Sequence, residues 1–416
     1  MSMRGWNLFC CVAAALLLTA CQTGRHQEAR ALGTPLTGAA SSGPMFSPPP
    51  QSRERILALD PEHVTEQDIR DVLAGAPAPR IINIHGGLLP LQGSMTSFSE
   101  FLVGMGYPRP SIQNPRDGSY AFGYYVRSEE LGGAIAWYYE HDGLRPMLVG
   151  HSQGGIQVVK VLYRLAGDSA ANIAVWNPLT WQTEERSEFV DPLTGEVRPV
   201  VGLCVPYATA VVAGGLGRAL PNQWEMLGKL RKIPDSVEEF TGFQKGMDAL
   251  GGDLFGYGSS NDYKSSGKAK VRNVRLPSTY AHTTIPVTSH LLKSQQIKDW
   301  INNYQPGYGD VEEPQLDVSF DSDSAHVLWA ADVWHSIKKH WVLELQRLLR
   351  SKAQVQDQAR VRSADFPVRS NSSVQDASER RDALGLTDLA ADWKVRAPDL
   401  NENPWLPDWV NSDVYP

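Results

Sequence analysis

The sequence predicts an α/β fold: a mostly parallel sheet flanked by helices, with a helical cap-like insertion and a C-terminal helical extension. Three observations carry this. Short β-branched or apolar runs alternate with helical stretches between residues 80 and 304, the pattern of a parallel sheet covered on both faces. Two of those runs break straight into glycine turns, at His85-Gly86-Gly87 and at Gly150. Across residues 211–252, and again after 305, the alternation lapses and helical spacing of apolar residues takes over.

Residues 60–73 read as a short helix, with Thr65 and Asp68 spaced to cap it. Arg80-Ile81-Ile82-Asn83-Ile84 is a strand running into the first glycine turn. Ser97 and Glu100 have capping-box spacing before a helix through Val103. Residues 129–140 form a helix stopped by Gly143. Pro146-Met147-Leu148-Val149 is a short buried strand that hands over, past Gly150, to a helix with an apolar stripe at 156–163. Ile173-Ala174-Val175-Trp176, residues 200–205 and residues 271–276 supply further strands, and 294–302 an amphipathic helix. Residues 211–252, with Leu216, Leu220, Trp224, Leu227 and Leu230, read as two or three inserted helices, either a cap or extra packing. Residues 325–350 form one long helix striped by Val327, Ala331, Trp334, Ile337, Trp341, Leu345 and Leu348, on which His326, His335 and His340 ride.

The length of 416 residues accommodates one large domain with appendages, or two ordinary domains. A formal charge of −7, spread along the chain, gives no reason to expect nucleic acid, which wants a basic face. Cys10, Cys11, Cys21 and Cys204 form no Cys-x-x-Cys pair and no metal-ligand spacing, so neither metal nor cofactor nor structural disulfide is implied. Cys204, in an apolar run, reads as a buried core thiol.

The chain opens with Arg4 and an apolar run over 8–20, too short for a comfortable bilayer span, closing on Leu18-Thr19-Ala20-Cys21. That closure resembles the lipobox of bacterial lipoproteins. The resemblance implies a signal peptide at 1–20, acylation of Cys21, and the membrane as a partner through a lipid anchor. Gln22 in place of aspartate favours an outer-membrane destination in the cell envelope. Residues 21–52, rich in Gly, Ser, Thr and Pro, read as a disordered tether. The main domain is then expected over 53–305 and the C-terminal extension and tail over 306–416.

The sharpest signal is Gly150-His151-Ser152-Gln153-Gly154-Gly155, a Gly-x-Ser-x-Gly turn between a strand and a helix. A serine on so tight a turn projects its hydroxyl outward, the flanking glycines prevent clashes, and the Gln153 N–H and the helix's positive end face a developing oxyanion. With the upstream His-Gly, the motif resembles the α/β-hydrolase superfamily, and within it the lipases and esterases with Gly-His-Ser-Gln-Gly-Gly elbows. The resemblance covers roughly residues 80–304. It implies Ser152 as nucleophile, Gln153 as one oxyanion donor and Gly87 as the other, with Leu88 open because of the extra glycine; His85 is expected to brace the loop.

The family's order of nucleophile, acid, histidine leaves His282 and His290, since His326, His335 and His340 lie on the long helix. His290 is preferred, because His290-Leu291-Leu292-Lys293-Ser294 resembles the stretch before the last helix of small bacterial lipases; His282 is the alternative base, nearer the strand end. For the acid, Asp262 in Gly258-Ser259-Ser260-Asn261-Asp262 resembles the family's carboxylate loop, with Asp253 as alternative; Asn177 stands at another family position but carries no charge. The expected activity is hydrolysis of a small-molecule or lipid ester through an acyl-enzyme. Acyl transfer, amide hydrolysis and a non-catalytic envelope-binding role stay open, as does oligomeric state.

Overall fold

A computed structural model describes residues 46–87, 90–168, 172–214, 221–248, 250–251, 261–307, 309–310 and 325–364. The expectations for the signal peptide and Cys21, for most of the tether, for Leu88 and for Asp253 lie outside these residues. The chain divides into units 1–357 and 358–416, and the described part of the second, 358–364, is helical.

The first unit is built on a seven-stranded sheet: β1 Ile81–His85, β2 Phe122–Gly123, β3 Met147–His151, β4 Val205–Val211, β5 Val237–Lys245, β6 Lys270–Leu276 and β7 Gly309–Asp310. Its spatial order is β7-β6-β5-β4-β3-β1-β2, and every neighbouring pair is parallel. The main helices are α1 Pro50–Ala58, α2 Pro90–Gly104, α3 Ser128–Asp142, α4 Gln153–Leu165, α5 Gln295–Asn303 and α6 Val327–Ala364. Successive strand residues face opposite layers. Met147, Val149, Tyr207, Phe243 and Val274 join the core on one face with α2, α5 and α6; Leu148, Val205, Ala208 and Phe240 join the other with α3 and α4.

Several elements follow the local code. Thr65 and Asp68 form a reciprocal capping box. Gly143 ends α3 in the left-handed conformation, φ 72°. Ser294 Oγ accepts the Ile297 N–H to start α5.

Others correct it. Ser97 does not cap a helix: α2 already begins at Pro90, and the Ser97 hydroxyl instead accepts the backbone N–H groups of Thr288 and Ser289, 3.0 Å each. Residues 173–175 do not enter the sheet; Trp176–Asn177 pairs with Gln182–Thr183 in an antiparallel ribbon. The run at 200–205 precedes its strand, which spans Val205–Val211. Among the described residues, the expected helical insertion at 211–252 contains β5, a central strand, along with the 3-10 helix Pro221–Met226. Val237, Phe240 and Phe243 bury against both layers there, and the pairing energy of a central strand overrides the helix-like spacing around it.

The long C-terminal helix is no appendage either. Over 327–349 α6 is buried nearly all round, with Trp329, Trp334 and Trp341 inside the core. Each such ring removes ~150–250 Å² from water, up to ~4–6 kcal/mol apiece. Its buried carboxylates are partnered: Asp332 takes a two-pronged Arg272 (2.5 and 2.7 Å) on β6, and Glu344 takes Arg145 at 2.6 Å.

Candidate active site

The sheet's strand order reverses between β1 and β3, because the chain goes outward from β1 to β2 and returns to the other side. The carboxyl edge at such a switch point is an open crevice. The Gly-x-Ser-x-Gly turn lies there, between the end of β3 and the start of α4.

Ser152 holds φ 56° and ψ −122°, a backbone state that costs a non-glycine residue ~1–3 kcal/mol. Its surroundings enforce it. The Ser152 N–H donates to the Val211 carbonyl at the end of β4 (2.8 Å), and its own carbonyl accepts the Gly155 N–H (3.0 Å). A side chain at Gly154 would run into the Ile84 carbonyl, and one at Gly155 would stand 2.6 Å from the Ala213 Cβ. The helix that follows is therefore pressed against β1 and β4, and the serine has nowhere to relax.

The ring that meets the serine is His282, with Nε2 2.9 Å from Ser152 Oγ. Its Nδ1 lies 2.7 Å from Asp248 Oδ2, and Asp248 Oδ1 accepts the Gly251 N–H at 2.9 Å. Both side chains are buried. The three residues come from the turns after β3, β5 and β6, a single edge of the sheet. Burial pushes the Asp248 carboxyl up. The hydrogen bond and charge of His282, the Gly251 N–H and nearby Lys245 together outweigh it and hold the group below the usual carboxylate range.

His290, preferred from the sequence, does not take this place. It sits in the 3-10 helix Ser289–Lys293, fastened to α2 through Ser97. The turn after β6 reaches the serine earlier, at His282, and by residues 288–289 the chain is bound to Ser97 on α2. Asp262 is likewise displaced: Asp248 Oδ2, directly beyond β5, holds the ring, while Asp262 Oδ1 lies 3.4 Å from Gln244 Nε2. Asp248 was missed because residues 211–252 read as helical. The signal was present in Phe240-Thr241-Gly242-Phe243, a β-branched and aromatic run with an aspartate just past its end.

His151, inside the motif, adds a link that the sequence did not disclose. Its Nε2–H donates to the His282 backbone carbonyl at 2.8 Å, clamping the histidine loop onto the elbow. Burial, reinforced by the charge of His282, lowers His151 to about 3, so the ring is neutral with its proton on Nε2. His85 bonds its own turn, Nδ1 to the Gly86 carbonyl at 2.7 Å. Gly86 packs against Ser152: a Cβ there would stand 2.8 Å from the Ser152 Cβ. Gly87 faces the Gln153 side chain. The Gln153 N–H, first of α4, has no carbonyl partner within the helix by geometry.

Among the described residues no group of His, Cys, Asp and Glu could hold a metal ion. Cys204 is half-buried, its thiol pushed up to about 11 by burial. Comparison with protein-family models, with curated proteins and with solved structures yields no match.

Proposed function

We propose that the chain is a serine hydrolase of the α/β-hydrolase type that cleaves carboxylic esters through an acyl-enzyme. The observation that carries this reading is the unbroken series Ser152 Oγ, His282 Nε2, His282 Nδ1, Asp248 Oδ2, with separations of 2.9 and 2.7 Å. The strained elbow, and the chain order serine, aspartate, histidine, support the family.

In this reading Ser152 Oγ attacks the ester carbonyl while His282 Nε2 takes its proton. Asp248 keeps the ring's Nδ1 protonated and stabilises the imidazolium that forms. The Gln153 and Gly87 N–H groups serve the oxyanion, aided by the positive end of α4. Collapse expels the alcohol, which takes the proton from His282; a water then repeats the sequence and frees the acid. His151 is a positioning residue that acts through the His282 backbone. The envelope address rests on the lipobox around Cys21.

A fluorophosphonate probe should label the wild-type chain on Ser152 and leave Ser152→Ala unlabelled, and the same variant should lose hydrolysis of p-nitrophenyl acetate. Labelling of another residue, or full activity in Ser152→Ala, overturns the reading.

A further inference from the structure

Beside the elbow lies a cavity of about 350 Å³ that the chemistry above leaves unused. It opens at the carboxyl ends of β1 and β2, and His85 forms part of its wall. Gly86, the next residue, abuts the Ser152 side chain, so cavity and nucleophile share one turn.

The lining is polar and balanced in charge. Arg116 faces Asp117 at 3.7 Å, and Arg127 faces Glu130 at 4.0 Å. Both separations exceed the ~2.7–2.9 Å of a strong charged hydrogen bond, and although Asp117 Oδ1 accepts the Ser119 N–H at 2.9 Å, its Oδ2 and the two guanidinium groups keep capacity for a ligand. Trp181 donates its Nε1–H to Glu130 at 3.2 Å and stacks on Phe122, which fixes that carboxylate in the wall. Tyr125 lies over the bare backbone of Gly123 and is 75% exposed, an aromatic face at the mouth.

Three ligand chemistries can be compared. A fatty acyl chain would strip water from four charged groups and give them no partner in return. A simple anion would satisfy the arginines but meet Asp117 and Glu130. A sugar ring has hydroxyls that both donate and accept, and C–H faces that suit the negative face of an aromatic ring. The volume falls within the ~300–1,000 Å³ of small-ligand sites.

We propose that this cavity binds a glycosyl ring, making the substrate a sugar ester and not a lipid. The inference rests on the hydrolase reading. The sugar can enter as the alcohol of an acylated sugar or as the acyl part of a uronate ester, and the test separates them. The purified full chain is assayed with p-nitrophenyl acetate, p-nitrophenyl palmitate, an O-acetylated methyl glucoside and the methyl ester of a methyl glucuronoside. We expect one of the two sugar esters to exceed the palmitate in kcat/KM by at least about tenfold. Arg116→Ala and Tyr125→Ala should each lower the ratio of that sugar-ester activity to p-nitrophenyl acetate activity by about fivefold or more. Sugar esters no better than palmitate, or a ratio that neither variant moves, would overturn the inference while leaving Ser152-dependent acetate hydrolysis, and with it the hydrolase reading, intact. Saturation-transfer NMR on Ser152→Ala gives a readout free of catalysis. Transfer to free methyl glucoside or methyl glucuronoside, lost in Ser152→Ala/Tyr125→Ala, supports the site; no transfer to either sugar refutes it.

Discussion

Asp248→Asn isolates what the carboxylate does, because the structure dictates how the new amide must sit. Asp248 Oδ1 is held by the Gly251 N–H at 2.9 Å, while Oδ2 faces His282 Nδ1 at 2.7 Å. An asparagine keeps the Gly251 bond only by placing its oxygen at the Oδ1 position. Its NH2 then faces His282 and donates where the aspartate accepted. The ring must answer by carrying its proton on Nε2, the nitrogen 2.9 Å from Ser152 Oγ, and can no longer take the serine's proton. The wrong tautomer in a serine triad costs up to ~10⁴ in kcat. At ~1.36 kcal/mol per decade this is ~5 kcal/mol of lost transition-state stabilisation, far more than one neutral hydrogen bond contributes to stability. Turnover of p-nitrophenyl acetate should therefore fall by ~10³–10⁴ with the thermal midpoint nearly unchanged. Asp262→Asn, as control, should stay near wild type. If Asp248→Asn keeps more than about a tenth of kcat, or Asp262→Asn is the variant that collapses, the acid is misassigned.

His282→Ala should fall to the Ser152→Ala background, since triad members act as a unit, whereas His290→Ala should keep at least about a tenth of turnover; the reverse pattern in steady-state assays would restore His290 as base. Gly154→Ala drives a methyl into the Ile84 carbonyl, a backbone atom that cannot step aside, so unfolding by urea should show a loss of at least ~1–3 kcal/mol, and an unchanged midpoint would contradict the packing. Burial holds His151 at about 3 and His326 at about 4, and lowers His85 and His335, against ~6.5 for an unfolded ring. Between those values the unfolded chain binds more protons, so stability should decline as pH falls from about 6.5 towards 4, and a flat urea midpoint across that window would refute it. Cys21→Ser should release the protein from the membrane fraction; a wild type already found in the soluble fraction would contradict the lipobox reading.

Local signals marked the elbow well, and remote ones failed. Gly150 is forced by contact with Gly154 and Gly155 inside the turn, and Gly154 and Gly155 by the approach of β1 and the end of β4, but all three lie within six residues of one another, so the sequence around Ser152 shows them together. The residues that meet Ser152 depend on where distant turns arrive. His282 and His290 follow the same strand and differ in where the chain is held, by His151 at the His282 carbonyl and by Ser97 on α2 at Thr288 and Ser289. No sequence pattern links residue 97 to residue 289. Asp248 was hidden because the short β-branched and aromatic run at 240–243 stands among helix-like apolar spacing, and it is pairing with two neighbours in the sheet that decides for a strand. His151 was visible as a motif residue, but its bond to the His282 carbonyl is a tertiary fact.

The same dependence explains why the helix at the end of the described chain matters to chemistry at the opposite edge of the sheet. The proposed acid and base follow β5 and β6, so the spacing between those strands sets the spacing between Asp248 and His282. Helix α6 grips both. Asp332 takes the guanidinium of Arg272 on β6, and that guanidinium also reaches Thr241 on β5 at 3.4 Å. Lys339 donates to Glu239 on β5 at 2.8 Å. Such partly buried pairs contribute little net stability when intact, because desolvation offsets their attraction, yet breaking one leaves an uncompensated charge. Their value here is geometric: a two-pronged arginine fixes distance and angle together. A helix that the sequence presents as a trailing extension thus holds the two strands on which the His282–Asp248 pair depends.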